Sequence, residues 1–511
     1  MTQPSISLVD TDPAELAVDA IVIGLHSQPD EGGALLPAAG AESIAAAFDG
    51  KLTSTLALLG ASGTPGEVIK LATLGTIAAP LVVAVGLGDE PSGSAPSLET
   101  LRRGTGAAVR ALAGSATVAL ALPLPDDEDA PAVLRAILEG ALLGSYKFAG
   151  YQTKPKPNRR DPVAALQVHV PDATDAAAAA EVARAEVVAR AVRLTRDWVN
   201  TPPNALRPPQ FADAVVAAAQ GTGLEVEVLD FDELKAGGYG GIVAVGQGSE
   251  APPRLVKLTY VPEGVESPKR VALVGKGITF DTGGISIKPA AGMWEMKSDM
   301  AGAAAVGATM LAIAALKPPV AVSAYLAMAE NMPSGSAYRP GDVITMFNGK
   351  RVEVYNTDAE GRMVLADAIA RAGADGADYI LETSTLTGGQ VVALGKRIAG
   401  LMGSDEAVEL VRAAGDEVGE PAWPMPLPDE VRKGMESDIA DISQTNSNLD
   451  RAGHMLQGGV FLREFVPEGI EWAHIDIAGP SYHTGEPTGY WSKGGTGVPI
   501  RTLLAAIDRL S

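Results

Sequence analysis

The sequence contains no cysteine and only five histidines in 511 residues. Without cysteine there are no disulfides, no thiol nucleophile, no Cys-ligated zinc and no iron–sulfur cluster. Any metal must therefore be held by nitrogen or oxygen. The histidines, His26, His169, His454, His474 and His483, include no pair at the spacing of H-E-x-x-H, so a His-based zinc peptidase is not supported. His454 in a glycine-flanked segment and His474 in EWAHIDIAG read as structural histidines. No serine sits in G-x-S-x-G, and Gly275-Lys276-Gly277 lacks the other residues of a phosphate loop. Positive charge is also scarce: 40 Lys and Arg face 62 Asp and Glu, a net charge of −22. That balance disfavours nucleic acid and anionic membrane as partners, with one local exception in KPKPNRR at Lys154 to Arg160. Long hydrophobic runs are missing too. The longest, Ala301 to Leu316, has sixteen residues, short of the ~20 that cross a bilayer, and it reads as a buried helix. The N-terminus shows no basic segment followed by an apolar one. Together these absences predict a cytoplasmic globular protein.

What is present is a long α/β pattern, with chain enough for about three domains at roughly 150 residues each. Residues 1–160 alternate β-rich runs (Ala20 to Leu25, Leu81 to Leu87, Thr117 to Leu122) with helical stretches near Leu98 to Leu112 and Ala132 to Leu143, which predicts a first α/β domain. Residues 161–198 read as a linker with a connecting helix from Ala176 to Trp198, stopped by Pro202-Pro203. Residues 199–511 form a second series, with strands at Glu225 to Leu229, Leu255 to Tyr260, Val271 to Gly275, Val320 to Ala327, Val352 to Tyr355, Tyr379 to Glu382 and His474 to Ile477. Helices between most of them predict a mostly parallel central sheet flanked by helices.

The chemistry gathers at carboxylates just past these strands. VALVGKGITFDTGGISIK (Val271 to Lys288) runs a buried strand into a loop expected to hold Lys276 and Asp281, with Lys288 seven residues later. Asp299 directly precedes the apolar helix, where an unpaired charge is costly. In VEVYNTDAEGRMVLADAIARA (Val352 to Ala372), an extended chain would put Asn356, Asp358, Glu360 and Arg362 on one face, followed by a helix stopped at Gly373. Asp281, Asp299, Asp358 and Glu360 carry four negative charges. Two divalent cations would neutralise them, whereas clustered carboxylates alone must protonate or repel. Oxygen ligation suits Mg²⁺ or Mn²⁺, and Zn²⁺ also accepts it. The alternative is a pair of polar loops with a surface salt bridge.

NTDAEGRMVLADA (Asn356 to Ala368) resembles the signature of the cytosolic leucyl aminopeptidase family of two-metal peptidases. Similar blocks are VGKGITFDTGGISIKP (Val274 to Pro289), MKSDMAGAAAV (Met296 to Val306), ENMPSGSAYRPGDV (Glu330 to Val343), TSTLTGG (Thr383 to Gly389) and VNTPPN (Val199 to Asn204). The resemblance covers roughly residues 190–511, and the first 160 residues fit that family's macro-like N-terminal domain in length and alternation only. It implies metal ligands at Lys276, Asp281, Asp299, Asp358 and Glu360, and catalytic roles for Lys288 and Arg362. Lys276 is the ligand that residue chemistry alone misses, because an amine coordinates only when neutral. The resemblance further implies removal of an N-terminal residue, leucine preferred, from peptides with a free N-terminus, through a hydroxide bridged by two ions (Mn²⁺ or Zn²⁺). Lys288 would stabilise developing negative charge, and Arg362 would hold a bicarbonate. Asn356, Thr385, Leu386, Gly388 and Met296 would line the substrate path, Met296 being as compatible with core packing. A homohexamer is implied as well. Alternatives are an added DNA-binding or regulatory role, and a cysteinyl-glycine dipeptidase.

Overall fold

The computed structural model describes residues 3–28, 33–90, 96–154, 159–450 and 452–511. Part of the basic segment read above, residues 155–158, lies outside the described residues. The chain divides into two units, one running to Arg193 and including Gly485–Lys493, the other comprising Leu194–Thr484 and Gly494–Ser511.

The first unit is built on seven strands: β1 (Ser5–Val9), β2 (Ala20–Gln28), β3 (Ala34–Pro37), β4 (Val68–Ala72), β5 (Leu81–Asp89), β6 (Thr117–Ala121) and β7 (Ala165–His169). Their order is β1-β7-β6-β2-β5-β4, with β3 beside β2. The apolar runs of β2, β5 and β6 form its centre, where Ile21, Ile23, Val82 and Ala119 are fully buried. One boundary differs from the sequence reading. Ala165–His169, assigned above to the linker, is a strand paired in parallel with both β1 and β6. Its short ALQVH pattern carries no local sign of those partners. The division between units then falls inside the helix Ala176–Asn200, after Arg193, where the sequence reading has a linker over residues 161–198 that contains the connecting helix.

The second unit holds an eight-stranded sheet whose strands are β8 (Glu225–Leu229), β9 (Arg254–Tyr260), β10 (Arg270–Asp281), β11 (Ala321–Asn331), β12 (Tyr379–Ser384), β13 (Ala399–Gly403), β14 (Ala422–Pro424) and β15 (Glu471–Asp476). In space they run β14-β13-β15-β12-β10-β11-β9-β8. The four central strands, β15, β12, β10 and β11, are parallel, while β9 and β13 join them antiparallel. Side-chain alternation along β10 sends Ala272, Val274 and Ile278 into a core shared with Met363, Leu365 and Ile369 of the helix Gly361–Ala374. On the opposite face the helix Ala301–Leu316 comes so close that a Cβ on Gly275 would lie 2.6 Å from the Ala303 Cα. That helix is apolar all round because it is buried almost all round.

Two expectations are corrected here. The strand expected at Val352 to Tyr355 is Arg351–Glu353, and it lies outside the large sheet. It pairs with Val343–Thr345 and, in parallel, with Ile442–Ser443. The helix after it ends at Ala374, so Gly373 is not its stop. A Cβ at Gly373 would sit 2.4 Å from Pro467, so close packing accounts for the glycine.

The same helix buries Asp367 completely. Its two carboxylate oxygens accept from the Ile242 N–H at 2.9 Å and the Phe347 N–H at 2.8 Å. Burial pushes this carboxyl up to about 7, against the pull of those amides. The folded chain therefore binds more protons here than the unfolded chain between about pH 4 and 7, and this group's contribution to stability declines as pH rises through that window. In D367N an amide faces one backbone N–H. Stability should fall by roughly 1–3 kcal/mol, and the stability difference between pH 5 and pH 8 should shrink, as read from urea midpoints. An unchanged midpoint at pH 5 would contradict this.

Candidate metal centre and active site

Lys276 and Asp281 both lie on β10, which extends past the loop start expected from sequence. Five residues apart, they would point to opposite faces of a regular strand. The register against β11 shifts between Ile278 and Asp281, so that three steps on β10 match two on β11. A bulge of this kind re-aims a side chain, and it brings both residues to one site. Asp299 arrives at the end of the 3₁₀ turn Met293–Ser298. Asp358 and Glu360 come from the turn that enters the helix Gly361–Ala374, Glu360 being its N-cap and Arg362 lying in its first turn. The alternation expected of an extended chain is replaced by this turn, and Asp358 and Glu360 still converge.

The Lys276 ammonium lies 2.9 Å from Asp299 and 2.9 Å from Glu360, and it donates to the Thr385 carbonyl at 3.2 Å. Its stem passes Gly361 so closely that a Cβ there would be 2.5 Å from Lys276 Cε. Lys288 lies 2.7 Å from Asp281 and 2.5 Å from Asp358. Asp281 is held by the Gly283 N–H and the Asn331 amide, both at 2.8 Å. Asp299 accepts the Thr385 hydroxyl at 2.7 Å. Asp281, Asp358 and Glu360 each offer an oxygen within 4.8 Å of the others.

Charge in this cluster is unbalanced. Burial, then the Glu360 charge, pushes the Asp281 carboxyl up to about 6. Burial raises Asp299 well above the carboxylate range against the opposing pull of Lys276, and raises Asp358 against Lys288. Glu360 is lowered, since the two ammonium groups outweigh its burial. Burial works against the charge on Lys276 and Lys288 too, yet the carboxylates around them win and both pKa values lie above the ordinary lysine range. Four acids thus face two ammonium groups. The donor set is oxygen and nitrogen only, and the excess negative charge fits divalent cations. For Lys276 to coordinate, an arriving cation must replace its proton.

Arg362 is buried with its Nη1 donating to the Gln444 carbonyl at 2.8 Å, while its Nε has no hydrogen bond among the described residues. Burial lowers it to about 10, still a cation near neutrality. The remaining expected residues surround two cavities that share lining residues. Met296, Thr385, Leu386 and Gly388 line one of about 400 Å³ together with Lys276, Asp281, Asp299, Asp358 and Glu360. Asn356 and Gly388 line a second of about 680 Å³ that shares Lys288 and Asp358 with the first. Met296 is half-buried and faces the cavity, not the sealed core. Sequence reasoning missed Asn331, which orients Asp281, and Gln444, whose side chain accepts from the Asn356 N–H at 3.1 Å and donates to the Ala359 carbonyl at 3.0 Å. Asn331 stands inside ENMPSGSAYRPGDV. Gln444, some ninety residues from its partners, has no local signal. His474 is buried against Glu382, through Nδ1, as a structural histidine.

Fold and site together define an α/β enzyme whose buried cluster of carboxylates has the donor set for a divalent cation. The catalytic-domain model of the cytosol aminopeptidase family matches residues 193–504, and the N-terminal-domain model of the same family matches residues 22–155. The chain belongs to the cytosol aminopeptidase family and is an aminopeptidase. A probable cytosol aminopeptidase of Streptomyces avermitilis is 49% identical over 508 residues, covering 98% of this chain and 97% of that one. Another from Streptomyces coelicolor is 50% identical, covering 96% of each. Among solved structures, a mutant of tomato leucine aminopeptidase is similar at a TM-score of 0.87 and 30% identity, covering 100% of this chain and 97% of that one. The bottromycin maturation enzyme BotP in complex with Mn is similar at a TM-score of 0.84 and 36% identity, covering 97% and 100%.

Proposed function

We propose that this aminopeptidase removes leucine-like residues from the free N-terminus of peptides, using two divalent ions held by Lys276, Asp281, Asp299, Asp358 and Glu360. The observation that carries this reading is the convergence of these five side chains and Lys288 on one cavity with half-buried apolar residues in its wall. When bound, such ions supply Lewis acidity toward a peptide carbonyl and a water nucleophilic at neutral pH. The chain's own residues do the rest. Lys288, an ammonium held at the cavity between two carboxylates, stabilises negative charge that develops on the substrate oxygen. Arg362 stays a cation and cannot serve as the base itself; with an Nε that has no hydrogen bond among the described residues it suits a small anion such as bicarbonate, which would carry the proton. Met296 and Leu386 supply apolar surface for the substrate side chain, and Thr385 and Gly388 complete that wall. Asn356, facing the second cavity, meets the peptide beyond the scissile bond.

A panel of substrates tests this. Leucyl-p-nitroanilide should be cleaved faster than alanyl, glutamyl or cysteinyl-glycine substrates, and N-acetyl-leucyl-p-nitroanilide should not be turned over. Preferred cleavage of cysteinyl-glycine would replace leucine in this reading, and turnover of the blocked substrate would remove the exopeptidase assignment. We also propose a cytoplasmic homohexamer, with Mn²⁺ or Zn²⁺ as the native ion. Light scattering should then return about six times the 52.3 kDa chain mass.

A further inference from the structure

Asp476 ends strand β15 fully buried, and it is not among the residues lining either cavity. Among the described residues, the hydrogen bonds of its carboxylate run to segments that line one of them. Its Oδ1 accepts from the Leu386 N–H at 3.2 Å and the Ala478 N–H at 3.1 Å. Its Oδ2 accepts the Thr387 hydroxyl at 2.7 Å. That hydroxyl in turn accepts the Gln390 N–H at 3.1 Å, and the Gln390 side chain accepts the Gly479 N–H at 2.7 Å. The strip 385–388 is therefore fastened at two ends. Thr385 is tied to Lys276 and Asp299 of the metal cluster, while Leu386 and Thr387 are tied to Asp476.

We infer that Asp476 is a positioning residue for substrate selectivity: through Thr387 it fixes the wall against which the N-terminal side chain of the substrate packs. Charge-assisted hydrogen bonds to a buried carboxylate are among the stronger ones, so one acid aligns the 386–387 and 478–479 segments of the wall together. Removing its hold leaves the Thr385 end and the metal donors in place but lets the apolar wall drift. A leucine side chain, which reaches that wall, then loses more than an alanine side chain, which does not.

The inference rests on the aminopeptidase reading with an apolar side-chain pocket. Its test uses the metal-loaded full-length protein and the ratio of kcat/KM for leucyl- over alanyl-p-nitroanilide. The concentration of active enzyme cancels from that ratio, so partial unfolding leaves it unmoved. D476N and T387V should each lower the ratio about tenfold, within the range an apolar pocket contributes to discrimination, mainly through KM for the leucyl substrate. Metal content per chain should stay at the wild-type value. T387S, which keeps the hydroxyl, should retain the wild-type ratio. The double variant D476N/T387V should be about as selective as T387V alone, because the Thr387–Asp476 hydrogen bond is already absent in T387V, which also loses the Gln390 N–H bond to that hydroxyl. An unchanged ratio in T387V, or losses that multiply in the double variant, overturns the assignment. If D476N does not fold, T387V against T387S decides alone. Failure of the wild-type protein to cleave either anilide would instead remove the underlying reading.

Discussion

Lys288→Ala should lower kcat for leucyl-p-nitroanilide by about 10²–10³, the effect of deleting one preorganised charge-stabilising donor. The Lys288 ammonium sits between Asp281 and Asp358 at the cavity, with its side chain 22% exposed. If its role is to meet charge that appears only in the transition state, kcat and kcat/KM fall together and KM moves little. A rise in KM alone would make Lys288 a ground-state contact. Near-normal turnover would sink its assignment altogether. The unfolding midpoint should be read beside kcat, because the substitution also leaves the buried Asp281 carboxylate without this partner.

Removing the metal should have the largest effect of all. Exhaustive chelation should bring hydrolysis below detection, and Mn²⁺ or Zn²⁺ should restore it. The reason is electrostatic: Asp281 and Asp299 have their pKa values raised by burial and by neighbouring carboxylates, and divalent charge relieves both. Glu360→Ala should imitate chelation and resist rescue at the metal concentration that restores the parent, since it deletes one of three carboxylates within 4.8 Å of each other and one of the Lys276 partners. Metal content after dialysis and residual activity read both. Persistent activity in a preparation shown to be metal-free would refute the metal-dependent mechanism.

Some of this architecture follows from residue types and local pattern. The apolar run Ala301 to Leu316 is a helix with those same ends, and Glu225 to Leu229 is a strand as spaced, because period and propensity act over neighbouring residues. The want of cysteine and of paired histidines already confines a metal to oxygen and nitrogen donors, and the D-T-G-G and D-A-E-G-R segments mark candidate carboxylates, whereas Lys276 is implied only by the family resemblance. From sequence alone ALQVH reads as linker and Val352 as part of the large sheet, because pairing partners lie far away in the chain and leave no trace in a short window.

The site depends on relations that no window contains. Lys276 and Asp281 share a side only because β10 bulges against β11. Asp299 meets Lys276 across 23 residues, and Gln444 reaches Arg362 across 82. Asp476 governs a strip 90 residues before it in the chain. Alternation and propensity are short-range forces and set which residues can be ligands, strands or helices. Which of them stand within hydrogen-bonding distance is settled when the parallel sheet assembles and its helices close over both faces, since burial then leaves each charged group only the partners that packing supplies.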